Sequence, residues 1–139
     1  MSRYKARVLL MQILFQAEAQ GDFSQASPDL LLEEEALDGL SRDYIVSTFE
    51  AYRANKEEID SIIDKNMAKW DLRHLPKAEL AILRLGATEI LCTDVPDAVA
   101  INEAVNLAKK FGEEKAPGFI NGVLGAVARS KEEAAVKED

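Results

Sequence analysis

The chain has 139 residues, 47% of them apolar and only 6% aromatic. That suffices for one domain with its own core and argues against a pocket built from stacked rings. A net charge of −8 argues against general affinity for polyanions, because phosphate binding comes from Lys and Arg. The charge is polarised, however: Arg3, Lys5 and Arg7 stand in an opening stretch free of acids, whereas 29–43 carries six acids against Arg42. One cysteine, Cys92, cannot form an internal disulfide, and its place at the end of an apolar run points to a buried structural thiol. No apolar run approaches a membrane span and no leader is visible, so a cytoplasmic protein without membrane contact is expected.

Helical spacing recurs throughout, and no segment alternates as a strand does. A first helix is expected over 3–20, marked by Val8, Leu9, Gln12, Ile13, Phe15 and Ala19 and stopped by Gly21. Ser27-Pro28 signals a short helix to Leu37, closed by Asp38-Gly39. Ser41 can cap one long helix to Met67, with Ile45, Phe49, Tyr52, Ile59, Ile62, Ile63 and Met67 on its buried stripe. Trp70 to Leu75 reads as a connector in which Trp70, Leu72 and Leu75 plug into the core, leaving His74 as a surface or capping group.

Pro76 opens a strongly apolar helix through Leu80, Ile82, Leu83, Leu85, Ile90 and Leu91, expected to be central. Arg84 within it needs a partner, for which Glu89 or Glu103 is available. After the turn at Pro96 a helix is expected over 98–111, with Ile101, Ala104, Val105 and Ala108 inward and Gly112 as its stop. The last helix begins near Pro117 with Ile120, Val123, Leu124 and Val127 inward. Residues 131–139 read as a charged, flexible tail after a single domain over 1–130. The expected architecture is all-α: a compact bundle of six to seven helices.

Enzyme signatures are missing. There is no glycine-rich phosphate loop, Cys-x-x-Cys or nucleophile elbow, and one histidine cannot build a His-based metal site. No cofactor or metal is expected. Two features have a binding reading beside a bland one. Arg3-Tyr4-Lys5-Ala6-Arg7 mixes cations with an aromatic, which suits phosphate contact and stacking, or is a solvated terminus. Phe119 and Asn121 lie off the inward stripe of the last helix, where an outward Phe beside an amide can bind a base, or Phe119 simply packs a helix end.

The segments Gln12-Ile13-Leu14-Phe15-Gln16, Trp70-x-Leu72-x-x-Leu75, Ile82-Leu83-Arg84-Leu85, Val99-x-Ile101-Asn102-Glu103-Ala104-Val105, Ala108-Lys109-Lys110-Phe111-Gly112 and Phe119-Ile120-Asn121-Gly122-Val123-Leu124 occur in an order that resembles the NusB family of transcription antitermination factors along nearly the whole chain. The resemblance implies two small helical subdomains packed together, and no catalysis. It implies pairing with the small-subunit ribosomal protein NusE, binding of single-stranded boxA-like RNA in nascent ribosomal transcripts, and action within the transcription elongation complex. Residue by residue, it assigns RNA contact to Arg3, Tyr4, Lys5, Arg7, Lys115, Phe119 and Asn121, and the partner surface to Phe15 and Glu79. Tyr4 stands where the family often has arginine and Gly118 where it often has lysine. Two rival readings remain: an interaction module that does not touch RNA, and a domain like those preceding the catalytic part of some RNA cytosine methyltransferases, although 139 residues leave no room for a complete enzyme of that kind. An apolar face serves a second copy as well as a different partner, so a homodimer stays open.

Overall fold

A computed structural model describes residues 2–23, 37–68 and 71–138. Helix α1 spans Arg3–Gln20. The Ser2 hydroxyl accepts from the Lys5 amide at its start, and Gly21, at φ +69°, closes it in a left-handed turn that favours glycine. The inward face is Ala6, Leu9, Leu10, Ile13, Leu14 and Ala17. The face is thus rotated from the expected one: Gln12, Phe15 and Ala19 point outward.

The long helix expected over 41–67 is two helices, α2 (Gly39–Ala54) and α3 (Lys56–Lys65). Asn55 divides them. Its side-chain amide donates to the Ala51 carbonyl at 2.9 Å, ending α2, and its own carbonyl accepts from Ile59, starting α3. An amide that bonds the preceding turn competes with the helix for that carbonyl. The cap of α2 is Asp38, not Ser41: its carboxylate accepts from the Ser41 amide at 2.7 Å, three residues on. The short helix expected from Pro28 lies outside the described residues except for Leu37, and Trp70 lies outside them too. Its neighbours Leu72 and Leu75, around a 3₁₀ turn at Leu72–His74, do pack against the core.

Helix α4 (Lys77–Cys92) follows Pro76, and every residue from Glu79 to Ile90 is buried. Burial on all sides has a direct cause. α1, α2 and α3 cover one flank, α5 (Asp97–Phe111) and α6 (Ala116–Glu138) the other, and α4 touches all five. Among the described residues there are six α-helices and no strand, so the all-α bundle is the observed architecture. On α5 the deepest residues are Ala100, Ala104, Leu107 and Ala108, with Ile101 and Val105 only half-buried. Gly86 lets α4 and α6 approach closely, since a Cβ there would stand 2.6 Å from a Leu124 methyl. Helix α6 does not stop near Ser130. It runs to Glu138, and the Lys131 ammonium bonds the Ile90 carbonyl and the Asp97 carboxylate. Cys92 is exposed rather than buried, because α4 emerges from its cover in the last turn.

Candidate nucleic-acid interface

The residues singled out by sequence fall into two patches at opposite ends of α4. The amino-terminal end of α1 meets the carboxyl-terminal part of α4, where Arg7 bonds Glu89. Phe119 and Ala116 share a pocket with Glu79 in the first turn of α4. Ten residues of helix separate Glu79 from Glu89, about 15 Å of axis.

At the first patch Arg3 and Lys5 are exposed and Tyr4 is half-buried against the core. Arg7 departs from expectation. It is only 4% exposed, and its guanidinium is already engaged: Nε to Glu89 Oε1 at 2.7 Å and Nη2 to Glu89 Oε2 at 2.9 Å, with Glu103 3.8 Å from Nη1. A fork-to-fork arginine–carboxylate pair leaves little for an external phosphate, so Arg7 is an interior ion-pair group rather than an exposed cation of the arm. The Tyr44 hydroxyl donates to the same Glu89 at 2.8 Å, and the ring of Tyr44 lies beneath the Arg3 guanidinium, 4.3 Å from it. Burial, followed by the charge of Glu89, pushes the Tyr44 hydroxyl pKa up, so it remains a donor. Neither Tyr44 nor the Arg7–Glu89 pairing was visible in the sequence, since the partners come from three helices far apart in the chain.

Arg84 has a parallel cluster of its own. Its expected partners, Glu89 and Glu103, are taken by Arg7. Arg84 instead bonds Asp60 on α3 (Nε 3.2 Å, Nη2 3.1 Å) and Glu18 on α1 (3.0 Å), and Tyr52 also donates to Asp60. Glu89 is five positions from Arg84 on the same helix and so points elsewhere. These two buried cation clusters tie α4 to α1, α2 and α3.

At the second patch, an open pocket of about 310 Å³ is lined by His74, Leu75, Pro76, Glu79, Glu113 and Lys115, with Phe119 as one wall. Phe119 also walls a second hollow of about 340 Å³ that includes Asn66, Gly118 and Gly122. The ring is half-buried, with core contact on one side, while Lys115 and Asn121 are exposed on either side of it in sequence. Glycine at 118 and 122 leaves the helix surface beside the ring bare, with nothing within 4 Å of either position's missing Cβ. Glu79 is 7% exposed, and its Oε2 has no hydrogen-bond partner. Burial, followed by the nearby Glu113 charge, raises its pKa, partly offset by the Glu113 amide. A buried carboxylate oxygen at the edge of a pocket is an acceptor without a donor. Phe15, the other expected partner residue, is 42% exposed on α1. His74 is exposed and bonds the Asp71 carboxylate at 2.9 Å, in keeping with a surface role.

No helix among the described residues is long and apolar enough to cross a membrane, and no cluster among them could hold a metal ion. The fold and surface define a small all-helical protein that carries one patch of exposed cations and one half-exposed aromatic beside two hollows. The chain belongs to the NusB family, whose model matches residues 4–129. The transcription antitermination proteins NusB of Clostridium perfringens and of Acetivibrio thermocellus are 38% and 40% identical to it over 133 residues, covering 94% of this chain and 98% and 91% of theirs. Among solved structures, NusB of T. maritima superposes with a TM-score of 0.82 at 30% identity, covering 93% of this chain and 92% of that one. A crystal structure of antitermination factors NusB and NusE in complex with double-stranded RNA gives a TM-score of 0.80 at 28% identity, over 94% of this chain and 99% of that one. The protein is therefore an antitermination factor and not an enzyme.

Proposed function

We propose that this antitermination factor acts in the cytoplasm by binding boxA-type RNA in nascent ribosomal transcripts together with the ribosomal protein NusE, and that the assembly helps RNA polymerase resist termination. The observation that carries the reading is Phe119: a half-exposed ring between two hollows, with Lys115 and Asn121 exposed near it in sequence. A ring of this kind can stack a base, the amide can bond a base edge and the ammonium can meet a phosphate. Arg3 and Lys5 add phosphate contacts at the other end of α4. Phe15 and Glu79 are the proposed contacts for NusE. The unpartnered oxygen of Glu79 supports this assignment, because a basic ribosomal protein can supply the missing donor.

A body of net charge −8 repels phosphate at long range, so RNA binding by the protein alone is weak and the partner supplies cations. The same charge, together with the withdrawal of Arg7 into the interior, favours the rival reading of an interaction module that leaves RNA to its partner. Titrating labelled boxA-type RNA with the protein, with and without NusE, separates the two. Phe119→Ala is expected to weaken boxA-type RNA more than a scrambled sequence, and equal binding by wild type and Phe119→Ala in the presence of NusE would leave the interaction-module reading.

A further inference from the structure

An exposed arginine binds a phosphate best when its guanidinium is already held in a fixed plane, because a free one must give up rotamer freedom on binding. Arg3 lies in the first turn of α1, is exposed, and makes no hydrogen bond or ion pair with any described residue. Its guanidinium carbon nevertheless lies 4.3 Å from the centre of the Tyr44 ring. That distance is one at which a guanidinium can stack on the ring, and a stacked guanidinium keeps its N–H donors, which lie in its own plane, free for an anion. Lys5, the other exposed cation of the arm, has no such platform among the described residues.

The platform is anchored from below. The Tyr44 hydroxyl donates to Glu89 Oε1, Glu89 is fully buried, and Arg7 grips both of its oxygens. The Arg7 guanidinium carbon also lies 5.5 Å from the Tyr44 ring. Three helices therefore meet at one aromatic ring: α1 through both arginines, α2 through Tyr44 itself and α4 through Glu89. The groups facing the ring are two cations and a carboxylate already paired with one of them; of the two cations Arg7 is buried and Arg3 is exposed.

We infer that Tyr44 is a positioning residue for RNA binding, its ring holding the Arg3 guanidinium flat and edge-out toward an RNA phosphate, with Arg7 and Glu89 serving as the anchor of that ring. This rests on the RNA reading proposed above. It gives Arg7 a part in recognition that needs no contact with RNA, and it makes Tyr44, on a different helix, part of an arm otherwise confined to residues 3–7.

The test measures binding of a fluorescein-labelled single-stranded boxA-type RNA by the full chain with saturating NusE, over a range of salt concentrations. Arg3→Ala is expected to weaken binding roughly three- to tenfold and to flatten the log–log salt slope by about 0.7, the share of one phosphate on a single strand. Tyr44→Leu fills similar volume without a π face and is expected to reproduce both effects, with no further loss when combined with Arg3→Ala. Tyr44→Phe keeps the ring and is expected to recover most of the affinity. Arg3→Lys, a surface change with no bearing on folding, keeps the charge but not the flat stack, and is expected to lose affinity with the slope unchanged. Equal losses from Tyr44→Leu with and without Arg3, or wild-type binding by Arg3→Lys or Tyr44→Leu, would overturn the inference and leave Tyr44 as a buttress. A wild-type protein that fails to bind the RNA even with NusE would instead remove the RNA reading, and the inference with it.

Discussion

Removing one member of the Arg7–Glu89 pair leaves the other charge buried without a partner, a loss of about 3–5 kcal/mol in comparable sites. Arg7→Ala is therefore expected to lower the urea midpoint strongly, whereas Arg3→Ala, one turn away and exposed, should leave it unchanged; equal midpoints for the two variants would contradict the burial assigned to Arg7. Glu79 responds in the opposite sense. Its folded pKa lies above its unfolded value, so its contribution to stability is complete below the unfolded carboxylate range and is lost as pH rises through the raised folded value. Glu79→Gln removes the ionisation, and at pH 7 the melting temperature should rise. Near pH 3, where Glu79 is protonated in both states, the gain should vanish. A gain of the same size at both pH values would mean that packing and not charge is responsible.

At the scale of elements, α4 carries the structure because five helices lean on it. Leu83 is fully buried there, and Leu83→Ala should cost about 2–5 kcal/mol in chemical denaturation. The α5–α6 corner is equally constrained. A Cβ on Gly112 would lie 2.6 Å from that of Ala116 and 2.9 Å from the Ala108 carbonyl oxygen, so Gly112→Ala must shift backbone at the start of the helix that presents Phe119. A loss of about 1–3 kcal/mol is expected, the usual range for overpacking, with weaker boxA-type RNA binding alongside it. Full stability together with full RNA affinity in Gly112→Ala would show that this corner does not set the position of Phe119. The break at Asn55 belongs to the same scale. Residues 41–67 carry a nearly continuous helical stripe, and most of it survives: Ile45, Phe49, Tyr52, Ile59, Ile63 and Met67 are buried, while Ile62 is half-buried. Periodicity reports which face turns inward; it does not report one side-chain amide bonding a carbonyl four residues back.

For the whole molecule, the proposed RNA role sets an acidic body against a few exposed cations. Arg3, Lys5 and Lys115 are the exposed cations of the two patches, and three phosphates on a single strand correspond to a salt slope of roughly −2. A much steeper slope for the protein alone would point to cations outside both patches. The composition, the helical periodicities and the order of the apolar segments were enough to determine an all-α bundle with α4 at its centre, because burial of an apolar stripe is a property of local spacing. They also singled out Phe119 and Asn121, to which the family resemblance added Lys115; the three lie close together in the chain and take their placement from one helix start. What only the tertiary structure decided is the fate of the charged groups. Arg3 and Arg7 share a helix face and a composition signal, yet one is exposed and the other buried; Arg84 pairs with Asp60 and Glu18 rather than with the acids nearest in the pattern; and Tyr44 lies under Arg3. An ion pair is made by whichever opposite charge the packing of other helices brings within about 3 Å, and spacing along one helix carries no record of that.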